Sequence, residues 1–356
     1  MALIRRDAPE IRVAVAGAGK MGTYHVRALL QLSEGRAEEY YKAGLREQVG
    51  KIRLCGLCDV DARRAESFPD IPFFTHYPSM LKTVRPDMVV IATPSAQHHT
   101  MAADALESGI HAFVEKPVTR TVDEWDDLAA RAGRAGVRIM AGHVERYNPV
   151  AIRIKDLLSD NRTVVTGYHF LRCQPHDPRI PDDIVTDKAV HDLDLAMFLF
   201  GPVAQAEVLD FRQVQSHTRE VAIRVQHSSG VCGELHLSWL VEENSRARQC
   251  VLRTGSGENL VGDFMAKRLR LGGQELDCRV PGWIKPDNNQ VKDELADFVG
   301  YCLEPAINQP VVEPLLTSAA IRAGIGLISN LSREIQEKAS RQIPDSRREK
   351  ACFALA

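Results

Sequence analysis

Three residues of this chain, Lys116, Asp187 and His191, have types and settings suited to moving a proton. Asp187 and His191 lie in the run DKAVHDLD at 187–194. If 187–200 is helical, Asp187, His191 and Asp194 share one stripe at i, i+4 and i+7, beside an apolar stripe of Val190, Leu193, Met197 and Phe200. A carboxylate one turn before an imidazole can orient it and raise its basicity. That arrangement suits removal of a hydroxyl proton as a hydride leaves the same carbon. The same spacing also fits an ordinary surface pair. Lys116 stands in the tripeptide Glu115-Lys116-Pro117 at the end of an apolar run. The following proline bars it from the helical region, so its side chain is held over whatever lies at that strand end; a solvated lysine is the plain alternative.

A second constellation is the stretch IRVAVAGAGKMG at 11–22. Ile11, Val13 and Val15 read as a short buried strand that runs into glycine. Gly17, Gly19 and Gly22 have the spacing G-x-G-x-x-G. The first glycine makes the turn, the second lets backbone approach a pyrophosphate, and the third lets helix pack close to strand. The helix that follows, through Leu32, would aim its N-terminal amides and positive dipole end at phosphate. Asp59 closes the next strand, 52–58, where a carboxylate accepts hydrogen bonds from ribose hydroxyls and repels a 2′-phosphate, favouring NAD over NADP. Arg63 and Arg64 follow closely and could hold such a phosphate instead. Asp59 stands 37 residues beyond Gly22, against about 20 in a compact dinucleotide-binding unit. The excess, 33–50, reads as an inserted helical segment around 37–49 on the surface.

The elements that would position these residues alternate regularly. Short strands at 73–74, 87–92, 112–114 and 138–141 are separated by helices at 78–84, 100–109 and 122–135, which is the pattern of a doubly wound parallel sheet. Ligands of such sheets sit outside the carboxyl ends of the strands. The loop TPSAQHH after the strand 87–92 should therefore lie over the cofactor. The run GHVERYNP at 142–149 crosses to a second domain, where Asn148-Pro149 opens a helix through Leu158. Strand-like runs follow at 163–171, 206–214, 221–226, 231–241, 249–254 and 259–264. In the fourth, Val231, Gly233, Leu235, Leu237 and Trp239 share one face and Cys232, Glu234, His236 and Ser238 the other, so one face packs on helices and the other is wetter. Arg172, His176 and Arg179, in the upstream loop HFLRCQPHDPRIPDD, could meet a phosphate or carboxylate of a substrate or simply be solvated. The segments 255–257 and 281–289 read as loops, the helices 291–303 and 318–338 complete the domain, and 339–356 reads as a loosely held tail.

Composition excludes several classes. The chain has 356 residues, 44% of them hydrophobic and 26% charged, with a net charge of -2, enough for two globular domains. Neither nucleic acid nor an anionic membrane is implied as partner. No apolar run approaches a membrane span or signal core, so the cytoplasm is the expected compartment. Cys55 and Cys58 form a C-x-x-C inside a strand, where i and i+3 point to opposite faces. They read as buried thiols, and no metal is expected.

GAGKMG followed by His25, ATPSAQHH, VEKP, GHVERYNP and DIVTDKAVHDLD together resemble the Gfo/Idh/MocA oxidoreductases, in that family's order and over most of the chain. The resemblance implies an α/β N-terminal Rossmann domain, a doubly wound parallel sheet, at 9–143. An α+β domain with an open, mostly antiparallel sheet would occupy 144–338, its last helices able to pack back on the first. It implies NAD bound through Gly17, Gly19, Lys20, Met21, Gly22, Asp59, Thr93, Pro94, His98, Glu115 and Lys116. Hydride transfer on a sugar or polyol carbinol would use Lys116, with Asp187 and His191 as the catalytic pair. His143, Arg146, Tyr147, Arg172 and Arg179 are the candidate substrate contacts; His143 reads equally as a hinge residue. Lys188 stands where the family more often has an apolar or small residue. GHVERYNP and AVHDLD are similar to members oxidising the 3-hydroxyl of UDP-N-acetylglucosamine, whose ketone product would pass to a PLP aminotransferase. A free-sugar or inositol dehydrogenase and a non-catalytic NAD-binding regulator are the alternatives. The family also favours a homodimer or homotetramer through the second sheet.

Overall fold

The computed structural model describes residues 4, 10–34, 51–159, 163–180, 182–278, 289–303 and 316–341. The inserted segment expected at 37–49, the loop expected at 281–288 and residues 342–356 of the expected tail lie outside these residues.

Continuous apolar runs make the strands of the first sheet: β1 (Ile11–Ala16), β2 (Ile52–Cys58), β3 (Phe73–Phe74), β4 (Met88–Ile91), β5 (His111–Glu115) and β6 (Ile139–Gly142). They pair in parallel in the order β3-β2-β1-β4-β5-β6. The order reverses between β1 and β4, so a crevice opens beyond their carboxyl ends. Such strands are apolar on both sides because helices cover both faces. On one face Val13, Val15, Leu57, Val90 and Phe113 pack with α1 (Lys20–Ser33). On the other, Ala14, Ala16, Val89, Ile91 and Val114 meet α2 (Tyr77–Val84), α3 (His98–Glu107) and α4 (Val122–Ala135).

The register of β2 on β1 skips Cys55, which opposes no residue between Leu54 and Gly56. This bulge overturns the expectation that Cys55 and Cys58 point apart. One extra residue shifts the alternation, and both thiols lie in the same core cluster,. The Cys55 thiol donates to the Val13 carbonyl at 3.3 Å, and burial pushes both thiols up to about 11. They behave as packing groups.

The second sheet runs β14-β13-β12-β11-β7-β10-β9-β8. Its strands are β7 (Val165–Cys173), β8 (Val203–Val214), β9 (His217–His227), β10 (Cys232–Ser238), β11 (Ala247–Thr254), β12 (Asn259–Asp263), β13 (Arg268–Leu271) and β14 (Gln274–Leu276). All pairs are antiparallel except β7 with β10. One face carries Tyr168, Phe170, Ile223, Leu235 and Leu252 into a core with α5 (Pro149–Ser159), α6 (Val190–Phe200) and α8 (Ser318–Arg341). α8 extends over 339–341, where the sequence suggests tail. The β13–β14 hairpin turns at Gly272 and Gly273, both with positive φ; β13 alternates arginine with leucine and buries Leu269, and the short β14 forms the sheet edge. Arg172 lies on β7, not in the expected loop.

α7 (Gln290–Cys302) does not join the second sheet. Its Leu295, Phe298 and Val299 return to the first sheet, against α1. α8 likewise reaches α4 through the Arg322–Asp126 ion pair at 2.8 Å.

Candidate active site

At the end of β1 the three glycines do three different things. Gly17 has φ +94°, and a Cβ there would stand 2.5 Å from the Ala92 carbonyl oxygen. A Cβ on Gly22 would stand 1.8 Å from the Gly17 oxygen. Both are therefore fixed by close approach within the protein. A Cβ on Gly19 would meet nothing within 4 Å. Gly19 is also the N-cap of α1 and provides no side-chain cap, so the first-turn amides face an open cradle that suits a pyrophosphate. Lys20 is exposed and Met21 half-buried beside it.

Asp59 fastens this turn. Its Oδ2 accepts the Ala18 N–H at 2.7 Å and its Oδ1 the Asp61 N–H at 2.9 Å. Each oxygen keeps a further lone pair for a ribose hydroxyl. Arg63 is drawn onto Asp61, with nitrogen–oxygen distances of 2.8 and 3.0 Å, and Arg64 lies 3.9 Å from the same carboxylate. The cations that would hold a 2′-phosphate are thus turned to Asp61, and the site fits NAD. Asp59→Ala is expected to narrow the preference for NAD over NADP, checked by titrating both; a native protein that binds NADP as tightly as NAD would contradict it.

Thr93 and Pro94 follow β4 at the crevice, as the sequence suggests. His98 has no ring nitrogen left for a ligand. It is buried, its Nδ1 and Nε2 each 2.8 Å from the Pro117 and Thr93 carbonyl oxygens, and it ties these two loops together. Glu115 points inward as well, against expectation, because its carboxylate pairs with fully buried His25 at 2.6 Å. Both residues support the crevice rather than line it.

Lys116 follows Glu115 at the carboxyl end of β5, with a cis peptide to Pro117. Its Nζ donates to the Asp187 Oδ1 at 2.6 Å and to the Asp187 carbonyl at 2.9 Å. Asp187 sits in a π-helical turn, Val185–Ala189, that precedes α6; such turns concentrate at functional sites. Lys188 Nζ lies 3.1 Å from the other Asp187 oxygen. Burial opposes ionisation of Asp187, but the Lys116 and Lys188 charges hold it below its ordinary range. Lys188 itself is lowered, by burial first, against the pull of Asp187.

The expected Asp187–His191 hydrogen bond is not formed, because the two lysines take the carboxylate. His191 is buried, its Nδ1 without a hydrogen-bond partner among the described residues. Burial, then the charges of Lys116, Arg172 and Lys188, push it well below the ordinary histidine value. It is therefore a neutral imidazole in the company of cations. Asp194 leaves the expected stripe too, since Arg146 forks onto it at 2.8 and 2.7 Å and His143 Nδ1 lies 3.4 Å away.

The candidate substrate residues divide sharply. Arg146 is buried on Asp194, and the Tyr147 hydroxyl donates to Asp297 of α7 at 2.7 Å. Arg172, 5% exposed, forks onto Asp192 at 2.9 and 2.6 Å, with Glu145 3.6 Å away. Burying a guanidinium demands such partners, and it leaves these three residues inside the protein, not facing a ligand. Arg179 is exposed and pairs with Asp177 at 2.7 Å. His143 does border open space. With Pro117, Thr119, Thr186, Ile325 and Ser329 it lines a cavity of about 340 Å³ beside Lys116. Sequence reading missed Lys188 as an Asp187 partner, although adjacency was a visible signal. It also missed the Glu145–Arg172–Asp192 cluster, for which no local signal exists.

Residues 11–143 match the family model described as Gfo/Idh/MocA oxidoreductase, NAD-binding Rossmann fold. The chain is 28% identical over 206 residues to a UDP-N-acetylglucosamine 3-dehydrogenase of Acidithiobacillus ferrooxidans, covering 57% of this chain and 58% of that one. It is 24% identical over 243 residues to a Bacillus subtilis scyllo-inositol 2-dehydrogenase (NAD(+)), covering 64% and 67%. The first relatives are matched over little more than half their length, 54% to 58%. The solved structure of UDP-N-acetylglucosamine 3-dehydrogenase GnnA from Acidithiobacillus ferrooxidans superposes with a TM-score of 0.71 at 22% identity, covering 92% of this chain and 98% of that one, so the two-sheet fold is shared. With its glycine cradle and this match, the part of the chain at 11–143 carries the NAD-binding Rossmann fold of the Gfo/Idh/MocA oxidoreductase family model.

Proposed function

We propose that the protein is an NAD-dependent dehydrogenase that oxidises a CH–OH group of a sugar, the 3-hydroxyl of UDP-N-acetylglucosamine being the preferred candidate. The observation that carries this reading is the grouping of Lys116, Asp187 and neutral His191 at the carboxyl edge of the sheet. Bound NAD supplies the hydride acceptor. Lys116, aimed by Asp187, holds the reacting hydroxyl by a charged hydrogen bond and stabilises negative charge as it develops on that oxygen. His191, kept uncharged by burial and the cations around it, takes the hydroxyl proton. Asp187 acts on Lys116 and not on the imidazole.

The reading is tested by mixing the protein with NAD and, in turn, UDP-N-acetylglucosamine and myo-inositol while following NADH absorbance. NADH formation with UDP-N-acetylglucosamine is the expected result. Formation with myo-inositol alone would move the substrate to the cyclitols, a class supported by the likeness to the inositol relative. Silence with every carbinol would leave an NAD-binding regulator, against which stands the retention of Lys116, Asp187 and His191 together. A ketone product would suit a PLP aminotransferase acting next. The uncovered face of the second sheet, with exposed Leu209, Val214 and Val261, supports self-association as a dimer or tetramer; a monomer by sedimentation would reject that.

A further inference from the structure

His25 lies on α1, the helix whose first turn faces the pyrophosphate cradle, yet its side chain points the other way, into the protein. It is 0% exposed, and its ring meets Phe113 edge-on at a centroid distance of 5.3 Å. Its Nε2 lies 2.6 Å from Glu115 Oε1, and its Nδ1 has no hydrogen-bond partner among the described residues. The other Glu115 oxygen accepts the backbone N–H of Lys116 at 3.1 Å. The ammonium of that lysine then donates to Asp187 at 2.6 Å. The chain of bonds runs unbroken from the cofactor helix to the π-turn.

Three further features fit a built device. Gly142 of β6 leaves room for the carboxylate, since a Cβ there would stand 3.2 Å from Glu115 Cδ. Glu294 of α7 is buried close by, and burial together with the Glu115 charge raises it well above the carboxylate range. Glu294 therefore keeps its proton, and Glu115 is the ionised member, held below its ordinary value against burial by His25 and Lys116. A buried charge is costly without partners, and His25 and the Lys116 backbone N–H supply them here.

We propose that His25 is a positioning residue that, through Glu115, sets where Lys116 points. With the imidazole in place, Glu115 is saturated on one oxygen and clamps the Lys116 backbone with the other. Without it, a buried carboxylate one residue away competes with Asp187 for the Lys116 ammonium. The lysine then leaves the position from which it would meet the reacting hydroxyl. The proposal rests on the role given to Lys116 above, and its test separates the two.

The measurement uses the full chain with NAD and the carbinol substrate it turns over, UDP-N-acetylglucosamine or myo-inositol, and the NMR signal of the Lys116 ammonium. His25→Leu is expected to lower kcat by about 10²-fold, the cost of a misplacement of order 1 Å, with KM for NAD unchanged. Its Lys116 signal should be displaced. His25→Gln, whose amide still reaches Glu115, should restore both; His25→Asn, too short to reach, should not. A native kcat or an unmoved Lys116 signal in His25→Leu would overturn the proposal, as would a loss confined to melting temperature or NAD affinity. If His25→Leu does not fold, equal kcat and equal Lys116 signals in the Gln and Asn variants overturn it. Lys116→Ala with native turnover would instead reject the role of Lys116, a separate failure.

Discussion

Lys116→Ala should lower turnover by roughly 10²- to 10⁴-fold, the range for loss of a positioned proton-handling group, with NAD affinity little changed. His191→Ala should fall in the same range. In the proposed mechanism the two residues act on one reacting oxygen, so the double variant should be far less than multiplicatively worse than either single one. Single-turnover kinetics with NAD in excess would measure this. The pH profile adds a check with a defined sign. His191 is held well below the ordinary histidine value, so it stays unprotonated and competent as a base down to acidic pH. The acid limb of kcat should therefore lie below the ordinary histidine range, not within it. Native kinetics for His191→Ala would end its assignment as base. Cofactor affinity lost with residual rate intact would move Lys116 into cofactor anchoring.

Gly19→Val and Gly22→Val should fail in opposite ways. At position 19 the backbone is unstrained, with φ -70°, and a Cβ meets no protein atom within 4 Å. The valine therefore folds and fills the space a pyrophosphate needs. Its thermal melting should resemble the native protein while NAD titration shows no binding. At position 22 the new Cβ would lie 1.8 Å from the Gly17 carbonyl oxygen. The helix must move off the strand, costing several kcal/mol of the roughly 5–15 available to a domain. That variant should melt early or not fold. A Gly19→Val protein that binds NAD like the native one would reduce the fingerprint to a turn.

The two glycines look alike in the sequence, and the spacing alone announces both jobs. The strands of the first sheet were equally legible, because a doubly covered parallel strand is a continuous apolar run whatever its neighbours. Cys55 and Cys58 were misplaced on opposite faces because a bulge obeys the pairing of two strands, not the alternation within one. The β13–β14 hairpin was unreadable for a different reason. Its strands are only four and three residues long, so the Arg–Leu alternation of RLRL is too short to mark a strand by itself.

Within the site, sequence determined which groups are available and at which ends of strands and helices they stand: the glycine turn, Asp59, the Lys116 strand end, and His191 one turn beyond Asp187. Those facts follow from backbone rules acting over a few residues. Only the tertiary structure decided who pairs with whom. Arg146 and Asp194 are 48 residues apart, and His25 and Glu115 are 90. A charge taken out of water must find a partner wherever the fold brings one within about 3 Å. Asp187 is therefore given to Lys116 and not to His191, and two of the arginines expected to greet a substrate, Arg146 and Arg172, are spent inside the protein.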